Sequence, residues 1–154
     1  MPAALLAAVA LAVPAAAPAC PPPHARVVAA KGAIKVYALS RRPGKPHFAC
    51  RGAVRARLWR HRLGAGFEDS FDLPRLAGGR VAWVDYRCTT DGRHTVHVRV
   101  LDVRTGRRRA WPALDAAPIL HVEPRVLELR LGGDGTISWS AELAGPPERH
   151  RAHA

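Results

Sequence analysis

The segment GGRVAWVDYRC, residues 78–88, contains the pattern on which the interpretation of the whole chain rests. Two glycines, which suit a tight turn, precede an apolar run that includes a single carboxylate, Asp85. A carboxylate in such a run either acts as a general acid or base or marks the point where a buried strand leaves the core. Because Arg87 follows closely and the sequence shows no catalytic partner, we interpret Asp85 as the polar end of a strand.

The glycine pattern of this segment recurs, with copies starting at positions 32, 79 and 135. Each glycine is followed two positions later by a β-branched aliphatic residue and four positions later by a large apolar residue. The copies start 47 and 56 residues apart, which is close to the length of a unit of four short strands. The chain therefore has a weak internal repeat, with the members GAIKVY, GRVAWV and GTISWS.

Apolar and polar residues alternate along the chain after residue 25, and no window sustains a helical period. Residues 95–100 alternate polar side chains with three valines, as a half-buried strand does, and the leucines of residues 127–131 repeat the pattern. We predict an all-β fold of antiparallel four-stranded meander sheets over residues 26–144. The predicted turns contain glycine and lie at residues 91–92, 105–106 and 132–135.

The segment VRVLDVRTGRRRAW, residues 98–111, has an aspartate and a Thr-Gly turn between two strand-like runs. With Leu101, Asp102, Val103, Thr105 and Gly106 it resembles the propeller-repeat modules of bacterial secreted proteins, including the TolB-like type, over about residues 79–143. The resemblance implies one four-stranded sheet, or blade, per repeat. Propellers usually have at least four blades, whereas the chain has strands for about two. The alternatives are a small β-sandwich or self-association through exposed sheet edges.

The first nineteen residues carry no charged side chain and include an apolar run of signal-peptide length. The run is too short to span a bilayer. Ala17-Pro18-Ala19 has the small residues of a cleavage site. We therefore predict a secreted or cell-envelope protein with a signal peptide over residues 1–19, cleaved after Ala19. A proline-rich linker over residues 20–25 follows it, and residues 145–154 form a disordered basic tail.

Three cysteines, Cys20, Cys50 and Cys88, allow three possible single disulfides in an oxidising compartment. We favour Cys50–Cys88, because both residues end strand-like runs inside the domain. Cys20 would then be the first residue of the mature chain, either as a thiol or as the lipid-modified residue of a lipoprotein. Ala17 stands where a bacterial lipobox usually has leucine, which weakens the lipoprotein alternative.

The chain has a formal net charge of +12, and its basic residues are nearly all arginine. This bias is typical of GC-rich genomes, so it accounts for part of the basicity. Two arginine clusters nevertheless indicate anion binding, with Trp59 in the first as a stacking residue. The alternative is a solvated face that keeps sheet edges from pairing. The predicted anion-binding residues are Arg55, Arg57, Arg60, Arg62, Arg107, Arg108 and Arg109.

Residue patterns of enzymes and cofactor sites are missing from the sequence. His94 and His97 lie on opposite faces of a strand, and the acidic group Glu68, Asp69 and Asp72 is interpreted as a solvated turn. We predict no cofactor, no metal and no enzymatic activity. The expected function is a non-catalytic exported β-repeat module acting by protein or envelope contacts. The alternative is binding of an anionic envelope polymer, and a hydrolase ranks third.

Overall fold

The structure, a computed structural model, describes residues 19–39, 46–59, 69–88, 93–114, 119–120, 124–143 and 148–154. These ranges contain twelve strands and no helix, and hence no helical segment of the length and apolarity that crossing a bilayer requires. The strands are β1 (Arg26–Lys31), β2 (Ile34–Ala38), β3 (His47–Arg51), β4 (Val54–Trp59), β5 (Asp69–Ala77), β6 (Arg80–Cys88), β7 (Arg93–Asp102), β8 (Arg108–Pro112), β9 (Ile119–Leu120), β10 (Arg125–Leu131), β11 (Thr136–Glu142) and β12 (Glu148–His153).

The strands form three antiparallel meander sheets in the order of the chain. The first sheet has the order β1-β2-β3-β4, and the third has the order β10-β11-β12. The middle sheet has the order β5-β6-β7-β8, with the short β9 also paired to β7. The predicted antiparallel all-β fold is confirmed, but there are three sheets where about two were predicted.

Each copy of the glycine repeat precedes the second strand of one sheet, which is why three copies correspond to three sheets. Gly79 and Gly135 have φ angles of 83° and 93° in the turns before β6 and β11. Side chains with a Cβ rarely adopt this left-handed region, so these turns need glycine. The large apolar residue of each copy is buried, at Val36, Trp83 and Trp139.

The middle sheet buries both of its faces, because successive side chains of a strand point to opposite sides. One face packs against the first sheet, and the other packs against the third. The chain thus forms a stack of three layers with two apolar interfaces. Towards the first sheet, the middle sheet contributes Val81, Trp83, Leu101 and Val103; towards the third, it contributes Ala82, Val84, Val96, Val98 and Val100.

The three sheets are aligned so that corresponding strands lie on the same side of the stack. The first strands of the sheets contact each other, since both β1 and β10 pack against β5. The last strands, β4, β8 and β12, lie on the opposite side and are joined by arginine side chains from β8. One side of the molecule is therefore closed by packing, while the other presents three strand edges.

Three local predictions differ from the structure. Residues 148–153, predicted within a disordered tail, form β12 and pair along its whole length with β11, with the side chain of His150 stacked on Trp139. Asp69 and Asp72 belong to β5 and not to a turn, while Glu68 lies outside the described residues. A bulge in β10 leaves Leu127 exposed while Leu129 is buried, so the leucines do not all share one face.

Candidate anion-binding edge

Arg108 connects the last strands of the first and middle sheets. It lies opposite Leu101 in the register of β7 and β8, on the face directed at the first sheet. Its Nη2 donates a hydrogen bond to the backbone oxygen of Arg57 in β4. The two arginine clusters predicted from the sequence, 51 residues apart at these positions, are therefore neighbours in the fold.

Arg109 makes the corresponding connection to the third sheet. Its Nη1 donates a hydrogen bond of 2.8 Å to the backbone oxygen of His153 in β12. Consecutive side chains on a strand point to opposite faces, so Arg108 and Arg109 reach in opposite directions from one edge strand. A single pair of residues thus links β4, β8 and β12 into one surface.

A small cavity of about 100 Å³ lies beside Arg109. Asp102, its acidic residue, accepts hydrogen bonds of 2.9 Å from the backbone amides of Arg104 and Thr105. The Thr105 amide is the main reason why the pKa of Asp102 lies below its ordinary value, with partial burial acting in the opposite direction. The carboxylate therefore stays charged next to the basic residues. The cavity is lined by Arg80, Val100, Asp102, Arg107, Arg109 and Ala154.

Arg55 and Arg57 lie on the outer face of the first sheet, close to its β4 edge. Arg55 pairs with Cys50 of β3, and Arg57 pairs with Phe48. The pair between them, Ala49 and Ala56, packs towards the middle sheet, so the alternation of side chains places both arginines on the opposite, outer face. The guanidinium of Arg55 lies 5.7 Å from the ring centroid of Tyr37, in a cation–π arrangement. Burial raises the pKa of Tyr37 in spite of this neighbouring positive charge.

The predicted stacking role of Trp59 is wrong. Its side chain is 6% exposed and packs in the interface between the first and middle sheets, with its ring 6.5 Å from that of Phe71. A bulge in the pairing of β3 with β4 turns this position inward. Arg60 and Arg62, also predicted to bind anions, lie outside the described residues.

Arg149 and Arg151 extend the basic surface onto β12. They pair with Ser140 and Ser138 in the register of β11 and share the outer face of the third sheet with them. Sequence reasoning missed both residues, because the terminal segment was interpreted as disordered. The alternation of arginine with His150 and Ala152, which face the core, was the available indication of a strand.

We refer to the arginines of β8, of position 107 directly before it and of the two flanking edge strands as the arginine edge. All of them are exposed, and none lies within ion-pair distance of a carboxylate in the part of the chain that the structure describes. Packed sheets lie about 10 Å apart, so the first and third sheets lie roughly 20 Å apart across the three layers. The arginines on their outer faces extend the edge further on both sides. The arginine edge consists of Arg55, Arg57, Arg107, Arg108, Arg109, Arg149 and Arg151.

Asp85, the candidate catalytic residue of the opening segment, is held in a charge cluster. Its side chain is 1% exposed, and its Oδ2 accepts hydrogen bonds from Arg99 Nε at 2.5 Å and from Arg87 Nε at 3.2 Å. A carboxylate held by two guanidiniums inside a sheet interface is poorly placed to exchange protons with a substrate. This geometry supports a structural role.

His97 lies directly across from Asp85 in the pairing of β6 with β7. Burial lowers the pKa of His97, Arg99 and Arg87 lower it further, and Asp85 opposes them. Its Nδ1 is buried and has no hydrogen-bond partner among the described residues. Nor do those residues contain a group of three His, Cys, Asp or Glu side chains arranged to hold a metal ion.

The disulfide joins Cys20 to Cys50, so the predicted Cys50–Cys88 bridge is wrong. Cys50 is on the outer face of the first sheet, whereas Cys88 ends β6 in the middle sheet with its Sγ 3.8 Å from Nε2 of His94. The Pro-rich segment after Cys20 thus returns to the first sheet and does not act as a spacer. A bridged Cys20 sulfur has no valence for a thioether lipid, which contradicts the lipoprotein alternative.

The chain was compared with known protein families, with curated protein sequences and with solved structures. No family matches, and no curated protein or solved structure matches either.

Proposed function

We propose that the protein is an exported, non-catalytic β module that binds an anionic polymer of the cell envelope through the arginine edge. The observation that carries the proposal is the convergence of basic residues from three distant parts of the sequence on one side of the stack. Arg108 donates a hydrogen bond to the backbone oxygen of Arg57 there, and Arg109 donates one to the backbone oxygen of His153. No carboxylate of the described residues lies within ion-pair distance of this surface, so its positive charge is not neutralised.

The dimensions of the edge favour a polymer over a small anion. Seven guanidiniums distributed over at least about 20 Å cannot all contact one phosphate or carboxylate group, whereas a chain of repeated charges contacts several at once. Each contact is weak at an exposed site, and binding becomes useful through their number. Guanidiniums also hold carboxylate, sulfate and phosphate groups in bidentate geometry.

Two further features support export and a repeat module. A disulfide such as Cys20–Cys50 persists in oxidising compartments outside the cytosol. Consecutive meander sheets stacked with their first strands on one side are also how successive propeller blades pack, which supports the interpretation as a propeller-like module. A non-catalytic role is supported by Asp85, the candidate general acid or base, which is buried and ion-paired with both Arg87 and Arg99.

The test is the affinity of the protein for a fluorescent heparin hexasaccharide, used as a defined polyanion. The variant R57Q/R151Q removes one charge from each end of the arginine edge. Two exposed charge contacts, each of about 0.7 kcal/mol, predict a roughly tenfold loss of affinity at low salt.

The matched control is R26Q/R125Q, which lowers the net charge equally on exposed positions of β1 and β10. These first strands lie on the closed side of the stack, so the control should bind the hexasaccharide like the unmodified protein. Equal losses in the two variants would mean that total charge and not the edge governs binding, and would contradict the proposal. A protein that does not bind the hexasaccharide at all at low salt would contradict it as well.

A further inference from the structure

A groove of about 280 Å³ lies on the outer face of the third sheet, next to the arginine edge. Its polar side chains come from two outward-facing cross-strand rows, Glu128–Ser140–Arg149 and Arg130–Ser138. Trp139 and His150, whose rings stack on each other on the inner side of the sheet, lie between these rows. Its volume is close to the lower limit of about 300 Å³ for small-molecule sites, which is enough for one unit of a polymer. The groove is lined by Glu128, Arg130, Ser138, Trp139, Ser140, Arg149 and His150.

The charges of the groove are only partly compensated. Arg130 forms a two-bond ion pair with Glu128, with Nη2 at 2.6 Å and Nε at 2.7 Å from Oε1. Arg149, in contrast, has no carboxylate partner within the described chain. The groove therefore presents one uncompensated guanidinium beside an ion pair.

Hydroxyl groups lie beside this guanidinium. Ser138 and Ser140 are half-buried, and neither hydroxyl hydrogen-bonds to another side chain of the described residues. A hydroxyl both donates and accepts hydrogen bonds, while the Glu128 carboxylate only accepts them. A matching ligand must therefore carry a negative group together with neutral donors.

We propose that the groove binds one acidic sugar unit, so that the polymer held by the arginine edge is an acidic polysaccharide. A uronic acid unit supplies one carboxylate for Arg149, and its hydroxyls can donate to Glu128 and exchange hydrogen bonds with Ser138 and Ser140. A phosphodiester or polyphosphate backbone supplies acceptors only and offers no donor to Glu128. This inference rests on the proposed function and specifies its ligand.

The groove on the third sheet is continuous with the arginine edge. Arg149 lines the groove and also belongs to the arginine edge, so a polysaccharide seated in the groove can continue along β12 towards β8. The groove then selects the chemistry of one unit, and the edge adds affinity through neighbouring charges. Shape and hydroxyl contacts in the groove give specificity, which long-range charge attraction alone does not provide.

The test compares two probes of equal charge, tetragalacturonate and a pentathymidylate with four phosphodiesters, by titration calorimetry at the same salt concentration. The unmodified protein should bind tetragalacturonate about tenfold more tightly, as expected for two additional neutral hydrogen bonds. The variant S138A/S140A, which keeps every charge, should lose that margin and retain its affinity for the pentathymidylate. The control S70A, at an exposed position of β5, should change neither affinity.

A second variant, E128Q, separates recognition from a structural effect. It should strengthen pentathymidylate binding more than tetragalacturonate binding and so narrow the preference between them. The freed Arg130 charge attracts both anions, whereas only the sugar loses the carboxylate that accepts from its hydroxyls. Equal binding of the two probes by the unmodified protein, or an unchanged preference in S138A/S140A, would overturn the inference and leave the proposed function intact. Failure of both probes to bind at low salt would overturn both.

Discussion

The interface between the first and middle sheets contains charged and aromatic residues. The fully buried residues that the middle sheet contributes to its interface with the third sheet are all aliphatic, and its aromatic residues Tyr86 and Trp111 are only partly buried there. Asp85 and Arg99 lie on the face directed at the first sheet, close to the stacked rings of His47 and Phe71, which are 4.3 Å apart. On the opposite face, Val84 and Val98 pack against the third sheet. Both faces come from the same two strands.

This difference teaches that the polar face of an alternating strand need not be a solvent face. In β7 the residues Thr95, His97 and Arg99 oppose three buried valines, yet they point towards another sheet. Pairing of Arg99 with the buried carboxylate of Asp85 makes this possible. The half of the molecule containing the first sheet should therefore respond to charge, pH and oxidation, while the other half should respond mainly to packing.

The largest expected effect on stability comes from removing the Cys20–Cys50 disulfide, which belongs to the half of the molecule that contains the first sheet. The loop closed by Cys20 and Cys50 spans 30 residues, for which chain entropy predicts a stabilisation of about 3–4 kcal/mol. C20S should lower the free energy of unfolding by that amount in urea titrations. C88S is the control and should have little effect. The reverse result, a large loss in C88S alone, would restore the Cys50–Cys88 pairing.

A smaller loss of folding stability is expected for D85N, which removes the negative charge that pairs with Arg87 and Arg99. Breaking a fully buried ion pair costs about 3–5 kcal/mol. The two arginine side chains are 35% and 30% exposed and keep part of their hydration. We expect a loss of about 2–3 kcal/mol in urea unfolding. D72N, an exposed carboxylate of the same sheet, should be nearly neutral, and equal losses would contradict the ion-pair account.

The smallest expected effect on stability is a dependence on pH caused by His97, which faces the first sheet. Because the folded state lowers the pKa of His97 below its ordinary value of 6.5, the unfolded chain takes up its proton first as the pH falls. His97 should therefore reduce stability as the pH drops from 7.5 through 6.5, with no contribution above that range. The lowered pKa values of Asp102 and Asp134 act only in more acidic solution, so these two groups do not contribute to a change of stability between pH 7.5 and pH 5.5.

The measurement is the thermal midpoint at pH 7.5 and pH 5.5. H97Q should reduce the difference between the two values, and the exposed control H153Q should leave it unchanged. A difference that persists fully in H97Q would show that His97 is not the group responsible.

Sequence alone predicted the strands best where alternation and turn chemistry agree. The glycine repeat marked the second strand of every sheet, and the Asp102 turn between β7 and β8 was also found. The sequence did not predict β12, because this strand is polar and gains its order from pairing with β11 and from the stacking of His150 on Trp139. Its polar composition is the reason why the sequence analysis assigned these residues to a disordered tail.

The candidate site was predicted in part. Arg55, Arg57 and the three arginines around position 108 are exposed and lie together, but their proximity depends on how the sheets stack. No local pattern reveals which edge strands will lie side by side. The same limit explains the wrong disulfide, since the choice between Cys20 and Cys88 depends on which face of the first sheet carries Cys50.

The account makes one central claim: both halves of the molecule contribute to one continuous anion-binding edge. The most direct test is the slope of the logarithm of heparin-hexasaccharide affinity against the logarithm of salt concentration, measured for R55Q/R57Q and for R149Q/R151Q. Each lost contact lowers such a slope by about one, so both variants should flatten it by about two. A slope unchanged in both variants, or reduced in only one of them, would contradict a continuous edge.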